Sequence, residues 1–267
     1  KILLNEMPPT LMAGFLYLGA GIGMSLIAIS RRVRRVETTE IHLSKAEVPY
    51  TVAMILLDIA APICMLIGLN ATTAANASLL NNFEIVATAL IALVVFRERI
   101  SKRLWMGILF VTLSSVILSF EDVMSLEFSY GSLFVLLAAV FWGLENNCTR
   151  KLSSCDPLEI VLLKGIFSGI GSIVIGLVIG ERLMNLWSVI AVMAVGIVSY
   201  GLSIYFYVHA QRLLGAARTS AYYAVSPFIA AFLSILIFGQ IPEVTYFIAL
   251  ILMAIGAWYS SHDGIEE

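Results

Sequence analysis

Residues 76–96 read NASLLNNFEIVATALIALVVF, a run of 21 residues with a single carboxylate, Glu84, well inside it. At 1.5 Å per residue such a run crosses a hydrocarbon layer of about 30 Å as a helix. The stretch also has a second copy. Shifted by 142 places, Thr73-Ala74-Ala75-Asn76-Ala77-Ser78 falls on Gly215-Ala216-Ala217-Arg218-Thr219-Ser220. The same shift lays Phe96-Arg97-Glu98 on Phe238-Gly239-Gln240 and Trp105-Met106-Gly107 on Phe247-Ile248-Ala249. Further upstream the offset is 148, pairing Pro9 with Pro157 and Gly21-Ile22-Gly23 with Gly169-Ile170-Gly171; a longer loop after Ser30 absorbs the change of six. Apolar helices resemble one another by composition, but composition does not generate an ungapped match running through helix and loop alike.

The rest of the chain is of the same kind. Of 267 residues 60% are hydrophobic and 13% charged, against roughly 45–50% and about 25% in soluble domains. Sixteen basic and 18 acidic residues supply no basic stripe for nucleic acid. Three cysteines, Cys64, Cys148 and Cys155, make no disulfide framework. Apolar runs bounded by charge, Pro or Gly predict nine spans: Pro9–Ser30, Tyr50–Asn70, Asn76–Phe96, Leu104–Phe120, Tyr130–Cys148, Leu158–Gly180, Leu186–Ala210, Thr219–Phe238 and Thr245–Ser260. The runs do not alternate, which excludes a β-barrel. The expected fold is an all-α membrane protein, a polytopic helical bundle in the lipid bilayer.

Thirteen of the 16 basic residues fall in alternate connections, at 31–45, 97–103, 150–151 and 212–218, whereas the opposite connections hold only Lys1 and Arg182. The positive-inside rule places the first set in the cytoplasm. Counterpart spans are separated by an odd number of spans, so the two copies have opposite orientation, the inverted-repeat logic of secondary transporters. Residues 1–121 and 122–267 are the expected repeats. The fifth span has no counterpart, because Cys148 less 148 falls just before Lys1. The expectation is a ten-span parent of two inverted five-span repeats, nine spans being present here and the first helix missing.

Several motifs resemble those of the EamA-type family of the drug/metabolite transporter superfamily. They are Ala74-Ala75-Asn76-Ala77-Ser78-Leu79-Leu80-Asn81-Asn82-Phe83-Glu84, Phe96-Arg97-Glu98-Arg99-Ile100-Ser101, Leu213-Leu214-Gly215-Ala216-Ala217-Arg218-Thr219-Ser220-Ala221, Ser226-Pro227, Trp142-Gly143 and Pro8-Pro9. The resemblance covers nearly the whole chain and implies ten spans in two inverted repeats, with a small metabolite (amino-acid-like, amphipathic or drug-like) as substrate. The family's basic residue of the second helix falls at Leu16 here, while its repeat counterpart is Lys164. The family's common Glu-Pro is Ser226-Pro227, and its Gly-Glu is Gly239-Gln240.

An ionisable group at bilayer depth costs at least ~2.5–3.5 kcal/mol and needs a reason. Glu84, Asn81 at i−3, Ser78 a turn beyond and Thr88 at i+4 form one polar stripe, which faces a cavity or bonds helices together. Asn82 adds a second amide beside Asn81. Tyr223 and Ser226 are the repeat counterparts of Asn81 and Glu84. Trp142, Glu145, Asn146 and Thr149 recur at i, i+3, i+4 and i+7, facing a cavity or the headgroups. Lys164 lies about 9 Å inside its span; it either snorkels to the interface or meets Glu145, which is near its level. Asp58, opposite Tyr200 in the repeat alignment, either serves function or is satisfied by a neighbouring Ser or Asn. Three embedded acids against one base require protonated carboxylates or a visiting cation, and both suit a proton-coupled carrier.

Gly19-x-Gly21-x-Gly23 lies within an apolar helix and is no dinucleotide fingerprint, and the three histidines lack metal-ligand spacing. The sequence therefore implies no cofactor and no metal. It predicts a secondary carrier for a small molecule, permease or efflux protein, in a prokaryotic plasma (inner) membrane, as monomer or homodimer. A nucleotide-sugar or lipid-linked substrate translocator is the alternative within the superfamily. An intramembrane enzyme would need a catalytic pair that is not visible. Single cysteines placed at 31–47 and 97–103 are expected to react with impermeant reagents from the cytoplasmic side only; labelling of either loop from outside would overturn the orientation.

Overall fold

The computed structural model describes residues 7–35, 39–71, 77, 80–119, 130–182, 185–225, 229 and 244–261. Serines 78 and 226, two of the predicted site residues, lie outside them. The described residues form α1 (Pro9–Val33), α2 (Val48–Ala71), α3 (Phe83–Val94), α4 (Lys102–Ser119), α5 (Tyr130–Leu152), α6 (Pro157–Val178), α7 (Leu186–Leu214), α8 (Ala216–Tyr223) and α9 (Val244–Ser261). Among them there is no strand, and α1, α2, α5, α6 and α7 are long and apolar enough to cross a membrane. The predicted all-helical bundle is what the chain forms.

Two helices differ from their predicted continuity. The run at 76–96 is interrupted at Asn82, and α3 begins only at Phe83. The run predicted to start at Thr219 starts at Ala216 and turns at Ala224 and Val225. Asn82 and Ala224 are 142 residues apart, the offset at which the two stretches of sequence match. Elsewhere α6 widens into a π-helical segment at Lys164–Ser168, and α7 does so at Ile197–Leu202.

Helix starts follow local chemistry. At the start of α6, Asp156 Oδ1 accepts the Leu158 N–H at 2.9 Å, with Pro157 in the first position where no N–H is needed. Asn185 caps α7 through the Trp187 N–H at 3.0 Å. The N-terminus of α1 is capped from a distance: the Glu181 carboxylate accepts the N–H groups of Thr10 and Leu11 at 3.3 and 2.8 Å. A carboxylate there also suits the positive end of the helix dipole.

The chain packs as two compact units, Lys1–Ile63 with Cys148–Leu213, and Cys64–Asn147 with Leu214–Glu267. Each draws on both sequence halves. In the first, α1 lies between α6 and α7, and its glycine face lets backbones touch: a Cβ on Gly21 would come within 2.6 Å of Ile166 N. Leu11, Phe15 and Val192 close the apolar part of this unit. In the second, α4 and α9 pair through Gly107 and Gly256, and Ser114 Oγ donates to Ala249 O at 2.6 Å. Ile85, Ala89, Ile108, Val111, Ala221 and Met253 fill the core around them. Thus α1 shares a unit with α6, and α4 with α9, and each of these pairs runs antiparallel.

Hydrocarbon supplies no hydrophobic drive between helices, so such close backbone contact supplies much of their association. Gly21→Val is expected to force α1 from α6 and cost roughly 1–3 kcal/mol. Ile22→Leu, on an exposed neighbour, is expected to stay within about 0.5 kcal/mol. Thermal unfolding in detergent compares the two.

Candidate functional site

Buried polar side chains gather on the helices of each unit. In the first unit Asp58 of α2 and Lys164 of α6 are 1% and 6% exposed, with Nζ 3.3 Å from Oδ2. Tyr17 of α1 donates its hydroxyl to Asp58 Oδ1 at 3.2 Å, and Ser168 donates to Oδ2 at 3.5 Å. The Tyr200 ring of α7 meets the Tyr17 ring edge to face, centroids 5.0 Å apart. Lys164 and Ser168 bound one π segment, and Tyr200 sits inside the other; such widened turns frequently mark functional sites.

This geometry revises part of the sequence reading. Lys164 does not snorkel: its ammonium turns inward to Asp58, a partner the level-matching with Glu145 did not supply. The expected serine for Asp58 is Ser168. Tyr17 was missed, although it stands beside Leu16, the repeat counterpart of Lys164.

In the second unit Glu84 Oε1 accepts from Asn146 Nδ2 at 3.1 Å, and the same amide lies 3.4 Å from Thr88 Oγ1. Asn147 Nδ2 donates to Thr88 O at 3.0 Å and to Gly143 O at 2.8 Å. Gly143 permits this approach, since a Cβ there would lie 2.9 Å from Thr88 N. Glu145, Asn146, Asn147 and Thr149 are all buried, so the stripe on α5 faces protein and not headgroups. Trp142, Asn81 and Asn82 are half-buried, and Asn81 Oδ1 accepts no hydrogen bond among the described residues. Tyr223, at the end of α8, is exposed.

Because α3 starts at Phe83, Glu84 occupies a first helical turn. Its stripe is a carboxylate beside a helix break, not a ladder along an unbroken span.

A third set of contacts binds loops outside the spans. Arg212 holds both Glu40 oxygens, at 3.2 and 3.0 Å, and also donates to the carbonyls of Ser153 and Cys155. Glu159 accepts the Leu43 N–H at 2.9 Å and lies 3.5 Å from His42 Nδ1. The hydrogen bond from Arg212, partly opposed by burial, lowers the Glu40 carboxyl below its ordinary range. A depressed carboxyl contributes stability above its unfolded pKa and loses it as pH falls through the folded one, so this clasp is fully closed at neutral pH. The sequence marked Arg212 only as an orientation charge.

The sequence profile described as the EamA-like transporter family matches residues 1–120 and 129–261. The chain belongs to the EamA-like transporter family. It is similar to an uncharacterized transporter of Methanothermobacter thermautotrophicus, 26% identical over 99% of this chain and 81% of that protein. It is also similar to the uncharacterized transporter YyaM of Bacillus subtilis, 22% identical over 73% of this chain and 67% of that protein. A further uncharacterized transporter, from Clostridium kluyveri, is 23% identical over 91% and 82%. A solved crystal structure superimposes with a TM-score of 0.79 at 17% identity, over 95% of this chain and 87% of that one, and so shares the fold. Family and fold make this EamA-family chain an integral membrane transporter.

Asn147→Ala removes the donor contact from α5 to the Thr88 carbonyl, together with the one to Gly143 O within α5 itself. It is expected to cost about 1 kcal/mol in detergent melting, with Asn146→Ala smaller, because Asn147 alone reaches two backbone carbonyls.

Proposed function

We propose that this transporter is a secondary active carrier of a small metabolite, working by alternating access between inverted repeats at residues 1–121 and 122–267 and coupled to protons. The observation that carries the reading is the paired helix interruption at Asn82 and Ala224, with Glu84 two residues beyond the first break. Interrupted helices at corresponding positions of two repeats are the usual walls of a carrier's midplane site. There the broken backbone offers hydrogen-bonding groups that a continuous helix consumes. Glu84, Asn81 and Asn146 are the groups we assign to that site, with Trp142 as an apolar wall and Tyr223 and Ser226 as their counterparts in the second repeat.

A carboxylate at membrane depth suits proton coupling, because its charge must be neutralised by a proton or by a cationic group of the substrate whenever it loses its donors. The relatives in an archaeon and two bacteria support a prokaryotic plasma membrane as the location. A small, amphipathic or amino-acid-like solute fits a site with few charges and an aromatic side chain at its edge.

The test is transport by the full chain in proteoliposomes over a metabolite panel, with and without a pH gradient. Glu84→Gln is expected to fold, to keep substrate exchange at equal pH, and to lose gradient-driven accumulation by at least tenfold. Normal accumulation by a folded Glu84→Gln protein would remove Glu84 from the coupling path.

A further inference from the structure

At its C-terminal end α1 carries four arginines in five residues, Arg31, Arg32, Arg34 and Arg35. We infer that this end of α1 is a docking site for an anionic phospholipid of the cytoplasmic leaflet, its phosphate held by the arginines and its acyl chains laid along the exposed apolar stripe beneath them. No transported solute takes part, so this binding is measured independently of the transporter reading.

Length sets the level of the group. The 25 residues of α1 measure about 37 Å at 1.5 Å per residue, against about 30 Å of hydrocarbon. The surplus puts the last turn among the headgroups, on the side that the bias of basic residues marks as cytoplasmic. Arg31 and Arg32 lie in that turn, and Arg34 caps it. The Arg35 N–H closes on Arg32 O at 3.2 Å, and Arg35 adopts φ +50, a left-handed conformation that a residue with a Cβ reaches only at a cost. The helix thus ends in a tight turn that keeps Arg32, Arg34 and Arg35 together, and all three are exposed. Arg31 donates instead to the Tyr205 hydroxyl of α7 at 3.5 Å, which ties the end of α1 to its neighbour. Glu40, the next acid along the described chain, is already held through both oxygens by Arg212.

Residue type narrows the ligand to phosphate. The positive-inside bias needs charge of either kind, and the helix dipole favours any cation in a last turn; neither calls for arginine at every basic position. A guanidinium is planar and presents paired N–H donors that match two phosphate oxygens at once. What lies beneath the charges narrows it further, to a lipid. Leu26, Ile29 and Val33 recur at i, i+3 and i+7 on one face and are 61%, 59% and 76% exposed, with Val33 standing between Arg32 and Arg34. A water-soluble anion would leave that stripe bare. A phospholipid covers it with its chains while its phosphate meets the guanidiniums, and basic clusters of this size beside a span bind anionic lipid with a contribution from each member.

The experiment melts the full chain in a neutral detergent with phosphatidylglycerol, phosphatidylcholine or inorganic phosphate added. In low salt phosphatidylglycerol is expected to raise the melting temperature by about 5 °C, and the other two to leave it unchanged. High salt is expected to remove most of the rise, because the arginines are exposed. Arg32→Gln/Arg34→Gln/Arg35→Gln, which keeps the Arg31–Tyr205 contact, is expected to lose most of it too. Arg99→Gln/Lys102→Gln/Lys151→Gln removes the same charge from exposed positions at the other basic connections and is expected to keep it. Equal stabilisation by phosphatidylglycerol and phosphatidylcholine would overturn the inference, as would an equal loss in the two triple variants. A rise produced by inorganic phosphate would assign the arginines to a soluble anion, and one that grows with protein concentration would assign the face to a second copy; either overturns the lipid. Should the first triple variant fail to fold, the salt dependence and the three additives decide the matter on the native protein. Transport of nothing in proteoliposomes would remove the transporter reading and leave each of these outcomes as it is.

Discussion

Inside a bilayer no water completes a hydrogen bond, so every polar group in the core must find its partner within the protein. That constraint governs both units. It draws Lys164 inward to Asp58, brings the hydroxyls of Tyr17 and Ser168 to the same carboxylate, and sets the amides of Asn146 and Asn147 against α3. Such bonds are short-ranged and need helices whose backbones come close. Glycines make that approach available: Gly21 where α1 meets α6, Gly143 where α5 meets α3, Gly107 and Gly256 where α4 meets α9. Polar satisfaction and small-residue packing are therefore one design seen from two sides.

The same constraint makes the helix breaks informative. A backbone interruption at bilayer depth exposes donors and acceptors that only protein, substrate or water can meet. Two such interruptions lie 142 residues apart, at Asn82 and Ala224. At Asn82 the break delivers Glu84 to a helix start. At the α7–α8 junction a different device appears: Gly215 adopts φ +83, a left-handed conformation that glycine reaches without steric cost, and the Glu98 carboxylate accepts the Ala216 N–H at 3.2 Å.

Much of this was legible in the sequence because the membrane writes its demands as length and charge. The helix order and the all-α class followed from apolar runs, and Glu84, Asn146 and Lys164 stood out as some of the few polar residues inside them. What the pattern could not carry was pairing between distant segments. Asp58 and Lys164 are both visible as embedded charges, but which helix faces which depends on glycine contacts whose partners the sequence does not identify. The break at Asn82 was hidden for a local reason: one turn residue beside another asparagine leaves the apolar run intact. The π segments at Lys164 and Ile197 have no compositional mark at all. Arg212 shows the reverse case, a residue whose orienting charge was evident while its clasp on Glu40 depended on loop geometry.

The seam between α4 and α9 has two unlike ends. Gly107 lies against Gly256, and their counterparts 142 residues away, Ala249 and Ser114, lie against each other. In a protein assembled from two identical copies these would be one contact written once and used twice, so any mutation would strike both ends together. In one continuous chain each end is encoded on its own. Here one end has kept bare backbone against backbone, with Gly107 leaving no room for a side chain beneath Ser260. The other has accepted a methyl group and closed around a serine hydroxyl. The two ends of one helix seam thus differ in tolerance, so that substitutions at positions 142 residues apart are not interchangeable.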